Sequence, residues 1–209
     1  GAIYKFTDNF RAGVAYESPT WYNLNDELSQ RLIVRTTDGT TDYQDVVNPN
    51  VVNIYESYKI QTPSKWTFSG AYIFGKKGLI SVDYATKDYS NIKFKPTNDG
   101  FFSDLNSQMS SQFKNAYELR IGGEYKIKQW SLRGGYRFEE SPYKVDFVMG
   151  DLTGYSTGIG YNFGESRLDV AYANDHRNYN QSLISSGMND TARIRTTNNN
   201  VTLTYSINF

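Results

Sequence analysis

The sequence has 209 residues, enough for one domain with a sizeable core, and its 22 Lys and Arg balance 22 Asp and Glu to a formal charge of +0, which removes any electrostatic case for a nucleic-acid partner. Hydrophobic residues make up 38% and no run approaches the ~20 apolar residues of a spanning helix, so a membrane location requires a closed sheet. Cysteine is absent, which excludes disulfides and thiolate metal sites, while 18 Tyr, 12 Phe and 17 Gly suit strands and turns.

Gly1 to Phe6 already reads as the end of a strand, so the chain is expected to begin inside a larger protein. A second strand follows near 9–18, where Phe10, Ala12, Val14 and Tyr16 alternate with Arg11, Gly13, Ala15 and Glu17. A long polar connection runs over 19–62. Trp66, Phe68, Tyr72 and Phe74 then alternate with Lys65, Thr67 and Ser69, and Ile80, Val82 and Tyr84 with Ser81, Asp83 and Lys87. These predict strands at 64–75 and 78–89, before a second long connection at 90–114.

From Tyr117 to Ile127 the apolar set Tyr117, Leu119, Ile121, Tyr125 and Ile127 opposes Glu118, Arg120, Gly122, Glu124 and Lys126. A soluble core does not accept that second face. Trp130, Leu132, Tyr136 and Phe138 oppose Ser131, Arg133 and Arg137, predicting a strand at 129–139. Past a connection at 140–150, Tyr155, Thr157, Ile159, Tyr161 and Phe163 oppose Gly154, Ser156, Gly158, Gly160 and Asn162. Leu168, Val170 and Tyr172 oppose Arg167 and Asp169 in a strand at 167–176, and a fourth long connection is expected at 177–192. The final segment sets Val201, Leu203, Tyr205, Ile207 and Phe209 against Thr202, Thr204, Ser206 and Asn208.

The connections alternate between tight and long. Asp8-Asn9, Lys76-Lys77, Lys128 and Gly164-Glu165-Ser166 are hairpin turns, and the other four are long and rich in Asn, Asp, Ser and Thr. This alternation, with aromatics such as Phe10, Phe74, Trp130 and Phe163 beside the short turns, indicates an all-β transmembrane antiparallel up-and-down barrel in the bacterial outer membrane. The short turns would lie on the periplasmic side. Residues 1–209 are expected to form a single barrel domain, incomplete at its amino terminus, because nine strands fall short of the even number usual for such barrels. Tyr205, Ile207 and Phe209 resemble the carboxy-terminal signal read by the outer-membrane barrel-assembly machinery.

In order and spacing, the sequence resembles the carboxy-terminal part of the FadL family of outer-membrane transporters for long-chain fatty acids and other hydrophobic compounds. The resemblance is carried by Gly1-Ala2-Ile3-Tyr4, Arg11 to Pro19, Pro63-Ser64-Lys65-Trp66, Asn115 to Arg120 and Leu132-Arg133-Gly134-Gly135-Tyr136 leading to Glu140-Ser141-Pro142. It implies the last nine of fourteen strands. It also implies that loop 19–62 helps form an outer hydrophobic groove, and that a hatch and a lateral opening belong to a part preceding Gly1.

Two loops carry candidate ligand contacts. Loop 19–62 holds Leu32, Val34, Val51, Val52 and Ile54, an unusual apolar load. It is explained either by a hydrophobic groove or by strand extensions at Arg31 to Thr36 and Val51 to Tyr58 packing on each other. In loop 90–114, Ser103 is placed to cap a helix in which Leu105, Met109 and Phe113 share a stripe behind Phe101 and Phe102. That stripe lines a ligand entrance or packs the loop on the rim. Among the lumen charges, Arg120, Glu124, Arg133 and Arg137 are expected to neutralise one another, with carboxylate binding by Arg133 or Arg137 the alternative.

No catalytic constellation is visible. His176, the single histidine, stands beside Asp175 and near Ser182, Ser185 and Ser186, with nothing to fix a triad; no metal-ligand spacing occurs, and Thr97-Asn98-Asp99-Gly100 reads as a turn. The expectation is a cofactor-free, non-enzymatic barrel in contact with outer-membrane lipid and a hydrophobic small molecule. The alternative is a non-transporting relative serving as an accessory subunit of a secretion or assembly complex.

Overall fold

The computed structural model describes residues 1–182 and 190–207. In chain order the strands are β1 (Ala2–Lys5), β2 (Phe10–Glu17), β3 (Trp21–Leu24), β4 (Glu27–Ser29), β5 (Leu32–Thr37), β6 (Asp42–Val47), β7 (Val52–Ile54) and β8 (Tyr58–Gln61). They continue with β9 (Lys65–Phe74), β10 (Gly78–Asp88), β11 (Lys93–Lys95), β12 (Asn115–Ile127), β13 (Trp130–Glu139), β14 (Leu152–Asn162), β15 (Ser166–Ser182) and β16 (Thr191–Ile207). One helix, α1 (Gly100–Gln112), lies between β11 and β12.

Nine strands form one antiparallel sheet in the order β1-β2-β9-β10-β12-β13-β14-β15-β16. Each of the nine wall strands expected from alternation is present, and each pairs with the next one along the wall. The register keeps like with like: Val82 pairs Ile121, Ile121 pairs Tyr136 and Tyr136 pairs Tyr155 on one face, while Asp83, Arg120 and Arg137 line up on the other. Because side chains alternate across a strand, this register delivers one face that is uncharged across the apolar span of the wall and one polar face.

The uncharged face is uncovered. Val201 is 74% exposed and Leu203 68%, and the apolar residues that are fully buried among the described ones are only Ala85 and Ala116. A water-soluble protein rarely leaves so continuous an apolar surface open, whereas a wall facing lipid must. Aromatic pairs mark the two borders of that surface. Near the short turns, Trp130 and Tyr161 lie 4.7 Å apart and Tyr72 and Phe74 5.0 Å; near the long loops, Tyr16 and Trp66 lie 4.7 Å apart and Tyr136 and Tyr155 5.3 Å. Eight residues separate Trp130 from Phe138, about 27 Å of strand, or roughly 20 Å of height at barrel tilt.

The tight turns use left-handed backbone at Gly75 (φ 57°), Lys128 (φ 54°) and Gly164 (φ 100°), which matches the twist of the strands they join.

Three expectations about the loops need correction. The connection expected at 177–192 is shorter, because β15 runs on to Ser182 and β16 begins at Thr191. There neither face of the hairpin meets the hydrocarbon core, so the apolar alternation that reveals a wall strand is missing. In loop 19–62, the segment at Arg31 to Thr36 does not pack on Val51 to Tyr58. Instead β5 pairs β6, with Leu32 opposite Val47, and β7 pairs β4, with Val52 opposite Ser29. Finally, α1 is capped by Asp99, not Ser103: its carboxylate accepts from the Phe102 amide at 3.1 Å, as an N-cap does, so the expected turn at 97–100 opens the helix.

Candidate functional site

Two regions concentrate chemistry: the polar face of the wall and the cap built by the first two long loops. On the polar face the charges form two clusters. Toward the turns, Arg133 on β13 donates from Nε to Glu124 Oε2 at 2.6 Å and from Nη1 to Asp169 Oδ1 at 2.7 Å. Asp169 also accepts from Arg167 Nε at 2.8 Å, and Lys126 Nζ lies 3.4 Å from Glu124. Toward the loops, Arg137 reaches Glu139 at 2.9 Å and lies 3.4 Å from Glu118, which also pairs with Arg120. Arg177 closes this cluster on Glu139 at 3.0 Å.

All four lumen charges expected from sequence, Arg120, Glu124, Arg133 and Arg137, are thus in ion pairs within the wall. The Arg133 side chain is 35% exposed and engages two carboxylates through Nε and Nη1, so the pairs are screened yet geometrically specific.

Between the clusters the wall is nearly bare. Ser81, Gly122, Gly135, Ser156 and Ala173 stand directly opposite one another on five successive strands. They floor a concavity of about 640 Å³ flanked by the charged rows. Strand β14 supplies Gly154, Ser156, Gly158 and Gly160 to this face, and that lets β13 and β15 exchange ion pairs over it.

The cap is held by β8, which pairs with β3 on one side and β11 on the other, tying loop 19–62 to loop 90–114. Upon it Tyr58, Phe94 and Phe102 cluster, with Phe94 and Phe102 stacked at 5.8 Å and Tyr58 5.5 Å from Phe102. Asn106 of α1 clamps the β11 backbone, accepting from the Phe94 amide at 2.7 Å and donating to its carbonyl at 3.0 Å. The Tyr58 hydroxyl donates to Asp26 at 3.0 Å, and that hydrogen bond to a carboxylate holds the phenol above its ordinary value.

The expected groove residues therefore fall in two groups. Phe102, Leu105 and Met109 lie half-buried on α1, Phe101 is 69% exposed, and Phe113 leaves the helix to pack against Tyr143, ring centroids 4.8 Å apart and tilted by 48°. Leu32, Val34, Val51, Val52 and Ile54 line a ribbon of short strands and are all exposed. The helix packs on β11 and on a 3-10 turn at Tyr89–Asn91, so the two groups form separate surfaces. Tyr58, Phe94 and Asn106 were not singled out from the sequence. Only the alternation Lys93-Phe94-Lys95 signalled an inward aromatic.

His176 and Asp175 point to opposite faces: Asp175 stands opposite Gly154 on the polar face, and His176 opposite Thr153 and Thr197 on the other. They make no dyad. Ser182 ends β15, while Ser185, Ser186 and Phe209 lie outside the described residues; Tyr205 and Ile207 sit on the apolar face of β16. Among the described residues, no three His, Asp or Glu are grouped for a metal ion.

The family model described as outer membrane protein transport protein (OMPP1/FadL/TodX) matches residues 1–209. The chain belongs to this family. FadL/TodX membership places the nine-stranded wall in the outer membrane and explains its bare apolar face. The crystal structure of a Pseudomonas aeruginosa FadL homologue superposes with a TM-score of 0.58 at 15% identity, over 97% of this chain and 49% of that one. The P. putida toluene transporter TodX gives 0.52 at 15% identity, over 99% and 47%, and the CymD monoaromatic hydrocarbon channel 0.51 at 14%, over 99% and 49%. At these identities the likeness is one of fold, and the chain spans about half the length of the solved relatives it matches. No curated protein sequence matches it.

Proposed function

We propose that the chain forms the carboxy-terminal wall and part of the cap of an outer-membrane channel through which hydrophobic small molecules pass without cofactor or covalent chemistry. The observation that carries this reading is the match of the FadL/TodX family model to the whole chain. The wall supports it: an uncharged outer face and a lumen lined by paired charges suit a passive pore. The long loops lie outside the cell and present apolar side chains, Phe101 on α1 and Val52 and Ile54 on the ribbon, to an arriving ligand.

Both long-chain fatty acids and monoaromatic hydrocarbons belong to the ligand class. Two solved relatives are named for toluene or monoaromatic hydrocarbons, and the aromatic cluster of Tyr58, Phe94 and Phe102 suits a flat ring as well as an acyl chain. The test is uptake of labelled oleate and labelled toluene by cells lacking their own FadL-type proteins and expressing the full-length protein. Uptake of at least one above the empty-vector rate is expected, and an inserted barrel that takes up neither contradicts the proposal.

A further inference from the structure

Above the lipid belt, the outer face of the last hairpin changes character. The loop-side edge of the belt on β15 and β16 is marked by Asn199, whose side-chain oxygen accepts from the Tyr172 hydroxyl at 2.7 Å and from Asn174 at 2.8 Å. Continuing along the same outward alternation of β16, Thr197 is followed by Arg195 and Arg193. Four and six residues of strand place these arginines roughly 10 and 15 Å above the belt at ordinary strand tilt. The headgroup zone of a bilayer occupies roughly the first 5–8 Å above the hydrocarbon edge, and a guanidinium on its flexible stem reaches several ångströms back down toward it.

Both arginines are exposed, and among the described residues neither has a carboxylate within ion-pair distance. Asp190, three residues before Arg193 and exposed, makes no ion pair with either arginine, and the acids on the neighbouring strands are engaged elsewhere. Glu139 holds Arg177, Asp175 stands on the lumen face, and Asp151 accepts from the Ser141 amide at 2.7 Å. Arg195 is oriented by Asn178, whose oxygen accepts from its Nε at 3.3 Å, and this leaves both terminal nitrogens of the guanidinium to the outside. His176 sits one outward position below Asn178 on β15. Two arginines about 7 Å apart on one strand face, with no anion of their own, match the forked donor geometry that phosphate accepts best.

We propose that Arg193 and Arg195, with His176 below them, seat the phosphate groups of a phosphorylated outer-leaflet lipid against the wall. The position selects a lipid over a soluble anion. The guanidinium groups project sideways from the barrel at headgroup height, neither into the lumen nor over the cap. Such a seat would fix the barrel's height in the membrane and hold the tall last hairpin upright.

The experiment is native mass spectrometry of the detergent-solubilised full-length protein titrated with bisphosphorylated lipid A. Wild type is expected to bind it, and the R193Q/R195Q double variant at least tenfold more weakly, with unchanged thermal unfolding. Lipid A stripped of phosphate should bind wild type as weakly as phosphorylated lipid binds the variant. The K76Q/K77Q variant, altered in a turn at the other end of the wall, should bind like wild type. Equal binding by R193Q/R195Q, equal binding of dephosphorylated lipid A, or full displacement by millimolar inorganic phosphate would each overturn the assignment.

Discussion

Arg133 and Asp169 meet at 2.7 Å although they stand on strands β13 and β15, with β14 between them. The bridge exists because β14 presents glycine at Gly158 and Gly160 on that face. A Cβ at Gly160 would fall 2.2 Å from Asp169 Oδ1 and 3.1 Å from Arg167 Nη2, inside the space the ion pair occupies. The same logic holds nearer the loops, where a Cβ at Gly154 would collide with the Asp175 carboxylate. Glycine here serves the charge network more than the backbone.

Gly160→Ala is therefore expected to cost about 1–3 kcal/mol through displacement of Asp169 and loss of its bridges. Gly70→Ala, on a position where a Cβ meets nothing within 4 Å, should stay within about 0.5 kcal/mol of wild type. Thermal unfolding of the two variants in detergent measures the difference. Equal midpoints would show that the bridge across β14 contributes nothing to the wall.

At the rim, Lys114 donates to Glu140 at 2.7 Å, and that hydrogen bond raises the ammonium above its ordinary value against the opposing effect of desolvation. A raised lysine contributes stability that is whole below the unfolded value of about 10.4 and is lost as pH climbs through the folded value. The gap in unfolding temperature between wild type and Lys114→Met should hold constant from neutral pH to about 10 and narrow above it. A gap that stays constant through the whole alkaline range would contradict the pairing.

The two loop surfaces make separable predictions. Phe101→Asp places a charge on an exposed aromatic at the outer edge of the Tyr58, Phe94 and Phe102 cluster, 5.7 Å from the Phe102 ring, and Val52→Asp places one on the exposed ribbon. Each should lower hydrophobic uptake by about tenfold if its surface receives ligand, the loss of a few kcal/mol of apolar contact being ample for that. Phe102→Asp is the less informative change, because it breaks the cap itself. Normal uptake by both Phe101→Asp and Val52→Asp, in correctly inserted barrels, would remove the loops from the ligand path.

The wall was legible because lipid on one side and water on the other impose a strict two-residue period, from Phe10 through Ile207. Where neither face meets the hydrocarbon core, as over Arg177 to Ser182, the period carries no hydrophobic contrast and the extension of β15 went unseen. The ribbon's pairing was ambiguous for a related reason: Val34, Val46, Val47, Val51 and Val52 are interchangeable partners, so composition does not fix which runs meet. Asp99 and Ser103 are both good cap residues, and only the backbone decides between them. The cluster of Tyr58, Phe94 and Phe102 depends on β8 pairing β11 across more than thirty intervening residues, a long-range contact that no local pattern announces.

The direction in which the wall faces decides whether its loops can receive ligand from outside the cell. The chain contains no cysteine, so single cysteines report cleanly. With Thr40→Cys at the ribbon tip and Lys77→Cys in the β9–β10 turn, intact cells are treated with a membrane-impermeant maleimide. Thr40→Cys should label at once and Lys77→Cys only after the outer membrane is permeabilised. Labelling of Lys77→Cys in intact cells, with Thr40→Cys protected, would invert the wall and contradict the proposed route.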